Sequence, residues 1–228
     1  MSEPQTPSQT SAEVALITVE GYSPRYARAA RKLLQIEGGF VDDPKDRGGA
    51  TKYGISLRFL AAEGAFDEDA DGKSDFDLDL DGDIDGRDIR LLTRGDAIFL
   101  YHKCFWVPLQ ADTFPQPIGE MLFDQAVNGG ARAARKLLQR AINTCVMHPG
   151  FRAARPNMAV TVDGQIGPQT RRSLAEVMKW PTLGKAAVVD AYRDAVSERY
   201  RAIVRRFPSQ QRFLKGWLAR AAELGSDV

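Results

Sequence analysis

EGGFVDDPKDRGGATKYGIS, residues 37–56, is the most informative stretch of the chain, and it follows a segment with a strong helical pattern. Ser23 and Pro24 are typical of a helix start, because serine caps free N–H groups and proline fits the first helical position. One stripe at helical spacing then comprises Tyr26, Ala30, Leu33 and Glu37. Gly38-Gly39 is expected to end the helix. Glu37 is therefore predicted at the last helical turn, with its carboxylate facing inward.

Glu37 has the surroundings that a glycosidase acid requires. Glycoside hydrolysis needs a carboxylic acid that is still protonated near neutral pH and can donate to the leaving oxygen. A glutamate at a helix end on an apolar stripe loses hydration, which raises the pKa of its carboxyl. A second group must position water or stabilise positive charge on the sugar, and Asp46 or the Thr51 hydroxyl is predicted for this role. Tyr53, beside the glycine-rich turn, is predicted either to contact substrate or to pack.

The same stretch resembles the N-terminal signature of the glycoside hydrolase 108 family of N-acetylmuramidases, EGGY-x-x-x-P-x-D-x-GGAT-x-x-GI. Family members include phage endolysins and muramidases linked to bacterial secretion. The resemblance implies that Glu37 is catalytic and that the reaction is hydrolysis of the β-1,4 bond between N-acetylmuramic acid and N-acetylglucosamine. It extends over most of the chain through LTRGDAIFLYHKCFW (92–106), FDQAVNGGARAARKLLQ (123–139), VDGQIGPQT (162–170) and FLKGWLAR (213–220).

Two departures limit what the resemblance assigns. Phe40 stands where the family usually has tyrosine. Phage-type lysozymes show a related active-site pattern, Glu-x8-Asp-x5-Thr, whereas here the second gap, between Asp46 and Thr51, is one residue shorter. Asp46 and Thr51 are therefore candidates. Asn128, which precedes two glycines, is a candidate substrate contact or a helix C-cap.

The acidic segment 67–88 contains a loop with calcium spacing. Aspartates occupy positions 1, 3, 5, 7, 9 and 12 of the loop, with Gly82 at position 6, and they are Asp77, Asp79, Asp81, Asp83, Asp85 and Asp88. The loop resembles an EF-hand or dockerin-type calcium loop, with Asp in place of the usual Glu at position 12. One structural calcium ion is predicted. A second ion is an alternative near Asp67, Asp69 and Asp71. Without a cation, this would be a solvated acidic loop.

Charge and composition set the class of protein. Segment 67–88 carries a net charge of −9 and the rest of the chain +10, which suggests an anionic polymer as partner and a cation for the loop. Bacterial peptidoglycan is the expected polymer, since no nucleic-acid-binding motif is present. No apolar run suits a membrane span. The two cysteines, Cys104 and Cys145, lack metal or redox spacing, and free thiols are expected.

The expected fold is mainly α, a lysozyme-like fold with an inserted calcium loop and C-terminal helices. Residues 1–22 form a polar lead-in, 23–157 the catalytic domain, and 158–228 a peptidoglycan-binding-like helical segment. The start lacks the pattern of a classical signal peptide. We therefore expect a monomer that is made in the cytoplasm and reaches the cell wall through a holin or a secretion machine. Two other functions fit the pattern: a lytic transglycosylase, or a calcium-dependent wall-binding module without turnover.

Overall fold

The computed structural model describes residues 21–36, 39–41, 49–68, 70 and 72–226. The described part is mainly helical, which confirms the expected fold class. The α-helices are α1 (Pro24–Ile36), α2 (Leu57–Glu63), α3 (Gly86–Leu91), α4 (Arg94–Tyr101), α5 (Val107–Leu109), α6 (Ile118–Gly129), α7 (Ala131–Val146), α8 (Pro149–Ala154), α9 (Pro168–Lys179), α10 (Gly184–Arg206) and α11 (Leu214–Glu223). A π-helix covers His102–Trp106, and 3₁₀ turns cover Ala111–Thr113 and Pro208–Phe213. Strands β1 (Thr51–Lys52) and β2 (Ile55–Ser56) form a short hairpin.

Helix α1 begins and packs as its sequence predicts. Pro24 is its first residue, and the Ser23 hydroxyl accepts a hydrogen bond from the Tyr26 N–H at 3.2 Å. The predicted stripe is buried, since Tyr26 and Ala30 are both 0% exposed. The Tyr26 hydroxyl donates to the Ile98 carbonyl, and its ring packs edge-on against Trp106. This side of α1 is therefore fixed against the core.

The helices before and after the acidic segment, α2 and α4, also match their sequence signals. Ser56 caps α2 by accepting from the Phe59 N–H, and Gly64 follows the last residue of that helix. Thr93 and Asp96 form a reciprocal capping box at the start of α4. The sequence pattern predicts that the helix after Thr93 ends near Cys104, but the π-helix and α5 continue to Leu109. An end near Cys104 would expose Trp106, which is 1% exposed and donates from Nε1 to Asp112.

The C-terminal helices pack on the catalytic half through a continuous core. Helix α10 packs on α7 and α9, while α6 packs on α7 and α1. One hydrophobic cluster extends from Tyr26 to Leu224 and includes the fully buried Tyr192. The predicted division between residues 157 and 158 remains a prediction. None of the helices in the described residues is long and apolar enough to cross a membrane.

The region around Pro208 differs from the sequence prediction. The sequence pattern after Pro208 predicts a helix over 209–223, but Pro208–Phe213 is a 3₁₀ turn and α11 begins at Leu214. The turn contains no buried residue, so it has no apolar face to hold a regular helix against the core. The i, i+4 spacing of Phe213 and Trp217 predicts that both lie in the core, but Phe213 is 42% exposed and stacks on the half-buried Trp217 ring. The pattern also missed the six-residue helices α3 and α8.

Candidate active site and acidic loop

The two predicted carboxylates of the active site, Glu37 and Asp46, lie outside the described residues. The chain beside them is described. Ile36 ends α1 and is the residue directly before Glu37. On the other side, Val41 and Thr51 form an antiparallel bridge with two backbone hydrogen bonds of 2.8 Å. These two residues flank the part of the signature that contains Asp46.

The hairpin β1–β2 shows why the signature has glycine at position 54. Thr51 pairs with Ser56, and Lys52 pairs with Ile55, so Tyr53 and Gly54 form the two-residue turn. Their φ angles are +51° and +76°. Positive φ at both central positions is the requirement of a type I′ turn, which glycine satisfies without strain. The Tyr101 hydroxyl donates to the Tyr53 carbonyl at 2.7 Å, and this bond attaches the turn to the core.

The structure places Thr51 and Tyr53 together on this hairpin. The Thr51 hydroxyl is half-buried and donates weakly to the Gly49 carbonyl at 3.4 Å. The Tyr53 ring lies between two cations, with Lys52 Nζ 5.4 Å and the Arg94 guanidinium 5.8 Å from its centroid. The hairpin therefore presents a hydroxyl and an aromatic ring in a basic setting. Their catalytic and substrate-binding roles stay predictions.

Asn128 lies apart from that hairpin, in the last turn of α6. Its side chain is exposed, and its amide donates to the Asp124 carbonyl at 2.8 Å. The C-cap of α6 is Gly130, with φ +86°, and not Asn128. The Asn128 amide group therefore has a partner within its own helix. The role of Asn128 as a substrate contact stays a prediction.

The acidic loop 77–88 is organised by its first and last aspartates, which are buried at 6% and 0% exposure. Asp77 accepts from the backbone N–H groups of Asp81 and Gly82 at 3.1 and 2.9 Å. Asp88 accepts from Leu78 and Asp85, each at 2.7 Å, and thereby closes a capping box at the start of α3. Gly82 has φ +99°, which is why position 6 of the loop is glycine.

The middle aspartates of the loop face one another and one arginine. Carboxylate oxygens approach within 4.8 Å in two groups that could hold a metal ion: Asp77, Asp79 and Asp81, and Asp83, Asp85 and Asp88. The Arg87 guanidinium lies 2.8 Å from Asp81 and 3.6 Å from Asp79. The pKa of Asp83 is raised, first by the neighbouring charge of Asp81 and then by desolvation and the other carboxylates. Mutual repulsion therefore dominates the electrostatics of this part of the loop.

The acidic residues that precede this loop, the candidates for a second ion, are only partly within the described residues. Asp67 accepts from the Gly72 N–H at 3.0 Å, while Asp69 and Asp71 lie outside the described residues. A second ion there stays a prediction. The cysteines are free thiols, as expected, and burial raises the pKa of Cys145 to about 11.

Sequence reasoning missed two polar features. Gln139, on the buried face of α7, is 1% exposed and binds the loop around Asp163. A basic surface of α1 lines a cavity against α6 and α11. The second had a signal in the sequence, since Arg25, Arg28 and Lys32 recur at helical spacing.

Comparison with known proteins places these features in a family. Residues 30–130 match the family described as Glycosyl hydrolase 108. Residues 133–222 match the family described as Predicted Peptidoglycan domain. Among solved structures, the chain is similar to "Structure of Brucella abortus SagA", with 25% sequence identity, a TM-score of 0.61, and coverage of 88% of this chain and 91% of that chain. No curated protein matches.

The matches and the helical fold define the class as a glycosidase that acts on peptidoglycan. The glycosyl hydrolase 108 match covers residues 30–130, and the match to a peptidoglycan domain follows it in the same chain. The protein is a peptidoglycan hydrolase of the muramidase type.

Proposed function

We propose that the chain is a lysozyme that hydrolyses the β-1,4 bond between N-acetylmuramic acid and N-acetylglucosamine, with Glu37 as general acid. The observation that carries this is the burial of the α1 stripe directly before Glu37. Tyr26 and Ala30 are fully buried, and Leu33 is 2% exposed. We infer from this burial that Glu37, as the next position of the stripe, loses hydration, and loss of hydration raises the pKa of a carboxyl.

In this mechanism, Glu37 donates its proton to the glycosidic oxygen as the bond from that oxygen to the sugar carbon breaks. Water supplies the new hydroxyl on that carbon, and its proton is taken up by a carboxylate. Asp46 and Thr51 are the candidates for positioning the water. Thr51 lies on a hairpin that the Tyr101 hydroxyl attaches to the core.

Replacement of Glu37 tests the general acid. Glu37→Gln keeps the shape of the side chain but cannot donate the proton, so wall digestion should fall by about 100- to 10,000-fold. Lysis of purified walls measures the rate, and circular dichroism checks the fold. The matched control is Glu63→Gln, since Glu63 is exposed at the end of α2, and this variant should keep the wild-type rate. A folded Glu37→Gln protein with more than a tenth of the wild-type rate contradicts the assignment.

Product analysis separates the lysozyme from its alternatives. A hydrolase leaves a reducing N-acetylmuramic acid end, whereas a lytic transglycosylase leaves a 1,6-anhydro end that is lighter by one water. Mass spectrometry of the released fragments should show the reducing form. Anhydro fragments would make the chain a transglycosylase, and wall binding without any fragments would make it a binding module.

We further propose that loop 77–88 holds one calcium ion as a structural cofactor. Its donors are all oxygens, which suits calcium. Two observations support the fit. The backbone already shapes the loop through the N–H groups bound to Asp77 and Asp88. Asp79 Oδ1 is buried without a hydrogen-bond partner among the described residues, and burying a carboxylate oxygen without a partner is costly.

Melting with and without calcium tests this cofactor. With Asp at position 12 we expect a dissociation constant of ~10⁻⁶ to 10⁻⁴ M. At millimolar calcium, binding to the folded state alone then adds about 1–4 kcal/mol of stability. Calcium should raise the wild-type melting temperature relative to chelator, and it should raise Asp79→Asn and Asp81→Asn much less. The control Asp194→Asn, at an exposed position of α10, should respond like wild type. Equal wild-type midpoints in calcium and chelator contradict the proposal.

A further inference from the structure

The connection between α10 and α11 contains two Arg-Phe pairs. They are Arg206-Phe207 and Arg212-Phe213, six residues apart, and we call residues 206–213 the Arg-Phe turn. Phe207 is 52% exposed and Phe213 is 42% exposed. The 3₁₀ part of this turn contributes no buried residue to the core. Large apolar side chains grouped at the surface in this way are typical of an interaction site.

The two phenylalanines lie on one side of the Arg-Phe turn. A 3₁₀ helix has three residues per turn and rises about 2 Å per residue, so positions six apart share a direction and are separated by roughly 12 Å. The Gln210 N–H donates to the Phe207 carbonyl at 2.9 Å, as this period requires. Phe213 stacks on Trp217 at a centroid distance of 5.9 Å, and Trp217 packs on the buried Tyr200 at 5.3 Å. The second ring is therefore fixed by a stack that reaches the core.

Each of the two rings lies beside the guanidinium of the preceding residue. Arg206 is 5.3 Å from the centroid of Phe207, and Arg212 is 4.6 Å from the centroid of Phe213. Both arginines are exposed. The same unit, an aromatic ring with an adjacent cation, therefore occurs twice on this surface.

The surroundings of the Arg-Phe turn are basic. Segment 205–215 contains four basic residues and no acidic residue. Arg205 is paired with Glu198 at 2.5 Å. Within the part of the chain that the structure describes, Arg206, Arg212 and Lys215 form no ion pair. Positive charge is therefore left on this surface, and it favours an anionic ligand.

A ligand that uses both parts of each Arg-Phe pair has a repeating unit with an apolar face and a negative charge. In peptidoglycan, each disaccharide presents the C–H groups of its sugar faces and bears a peptide with free carboxylates. C–H groups pack on aromatic rings, and carboxylates bind guanidinium groups. The Arg-Phe turn also lies within residues 133–222, which match the peptidoglycan domain. The charge and the rings of this surface are thus complementary to a strand of peptidoglycan.

We infer that the Arg-Phe turn binds the glycan strand through Phe207 and Phe213, and carboxylates of the peptide stems through Arg206 and Arg212. The inference rests on the proposed function for the identity of the polymer. It assigns wall binding to a surface of the peptidoglycan domain that is separate from the hairpin β1–β2. Loss of this surface should lower the affinity for walls.

Co-sedimentation with purified insoluble peptidoglycan, on ice so that digestion is slow, tests the two rings. The double variant Phe207→Ala, Phe213→Ala loses both anchors and should bind about 10- to 100-fold more weakly than wild type. Phe207→Tyr with Phe213→Tyr keeps the rings and should bind like wild type. The matched control is Met147→Ala, since Met147 is 53% exposed in the same domain, and it should also bind like wild type.

Peptidoglycan whose carboxyls are converted to amides tests the two arginines. Arg206→Gln with Arg212→Gln removes charge-assisted hydrogen bonds and should weaken binding to native walls by about 10-fold or more. On amidated walls this double variant should bind like wild type. Arg172→Gln is the matched control, because Arg172 is exposed on α9, and it should bind both kinds of wall like wild type.

Unchanged wall binding by the double alanine variant would overturn the inference. Tighter binding of wild type to anionic lipid vesicles or to single-stranded DNA than to walls would also overturn it. Melting curves check the fold of each variant. If the double alanine variant does not fold, Phe207→Ala replaces it, because Phe207 lies outside the Trp217 stack, and this variant should still bind at least about 3-fold more weakly.

Binding is measured separately from digestion, so the inference and the proposed function can fail independently. Wild-type binding by the double alanine variant, while Glu37→Gln has lost digestion, would reject the Arg-Phe turn and leave the proposed function standing. Weak binding by the double alanine variant, while Glu37→Gln still digests walls, would reject the general acid and leave the Arg-Phe turn standing.

Discussion

The aspartates in the loop around Asp163 and in the acidic loop 77–88 have opposite electrostatic surroundings. Asp163 accepts from the Gln139 side chain and from the Gln165 N–H, each at 2.8 Å. The hydrogen bond from Gln139 is the main reason that the pKa of Asp163 is lowered. Asp83 faces other carboxylates, and the pKa of Asp83 is raised, first by Asp81. One aspartate is surrounded by donors and the other by acceptors.

This contrast shows for which loop the chain itself supplies the donors that its carboxylates need. Gln139 lies on a buried helix face and supplies the donor that the Asp163 loop needs. In the acidic loop, backbone donors satisfy Asp77 and Asp88, and Arg87 pairs with Asp79 and Asp81. A single arginine cannot balance six carboxylates, so the acidic loop gains from a cation that the other loop does not need.

The largest effect is expected from removing the donor that completes the Asp163 loop. Gln139 is 1% exposed, donates to Asp163 and to the Gln165 carbonyl, and accepts from the Gly164 N–H at 2.8 Å. Gln139→Ala removes all three of these hydrogen bonds and should lower the free energy of unfolding by about 2–3 kcal/mol. For a chain of this size that corresponds to a fall of roughly 5–10 °C in melting temperature.

The control for this prediction is Gln165→Ala, because that side chain is exposed and only its backbone takes part in the loop. Its melting temperature should stay close to wild type. Equal shifts in the two variants would mean that the Gln139 side chain does not complete the loop, and the comparison between the two loops would lose its basis.

The sequence predicted the features that are formed by residues close to one another along the chain. The α1 stripe, the Thr93–Asp96 capping box and the spacing of loop 77–88 all rest on contacts within a few residues, and the structure contains each of them. The link from Gln139 to Asp163 joins residues 24 positions apart and leaves no periodic signal. The basic face of α1 has a signal at helical spacing, but the cavity between α1, α6 and α11 was not predicted, since helix packing brings Arg31 and Glu223 to one cavity. Glu37 and Asp46 were found from their motif, and their placement remains a prediction.

A smaller effect is expected for Asp83→Asn, whose change in melting temperature should have opposite signs in chelator and in calcium. In chelator, Asp83→Asn removes a charge that Asp81 and Asp85 repel, so the melting temperature should rise slightly. In millimolar calcium, the same change removes a candidate ligand, so the melting temperature should fall. Asp163→Asn is the matched variant and should lower the melting temperature in both media, because its donors lose a charged acceptor in each. A shift of one sign for Asp83→Asn in both media would contradict the role of calcium.

The smallest expected effect is a shift in the pKa values of two carboxyl groups. It is measured by titration followed by carbon NMR, with and without calcium. In the folded chain, the pKa of Asp163 should lie below the ordinary value of 3.8 and that of Asp83 above it. The contribution of Asp163 to stability is therefore fully present above its unfolded pKa and is lost as pH falls through the folded value. For Asp83, ionisation destabilises the fold, and this destabilisation disappears as pH falls below the unfolded pKa. Calcium should lower the pKa of Asp83, because an adjacent cation favours the carboxylate, and should leave Asp163 unchanged. If calcium moves both pKa values equally or moves neither, the ion does not distinguish the two loops, and loop 77–88 does not hold calcium.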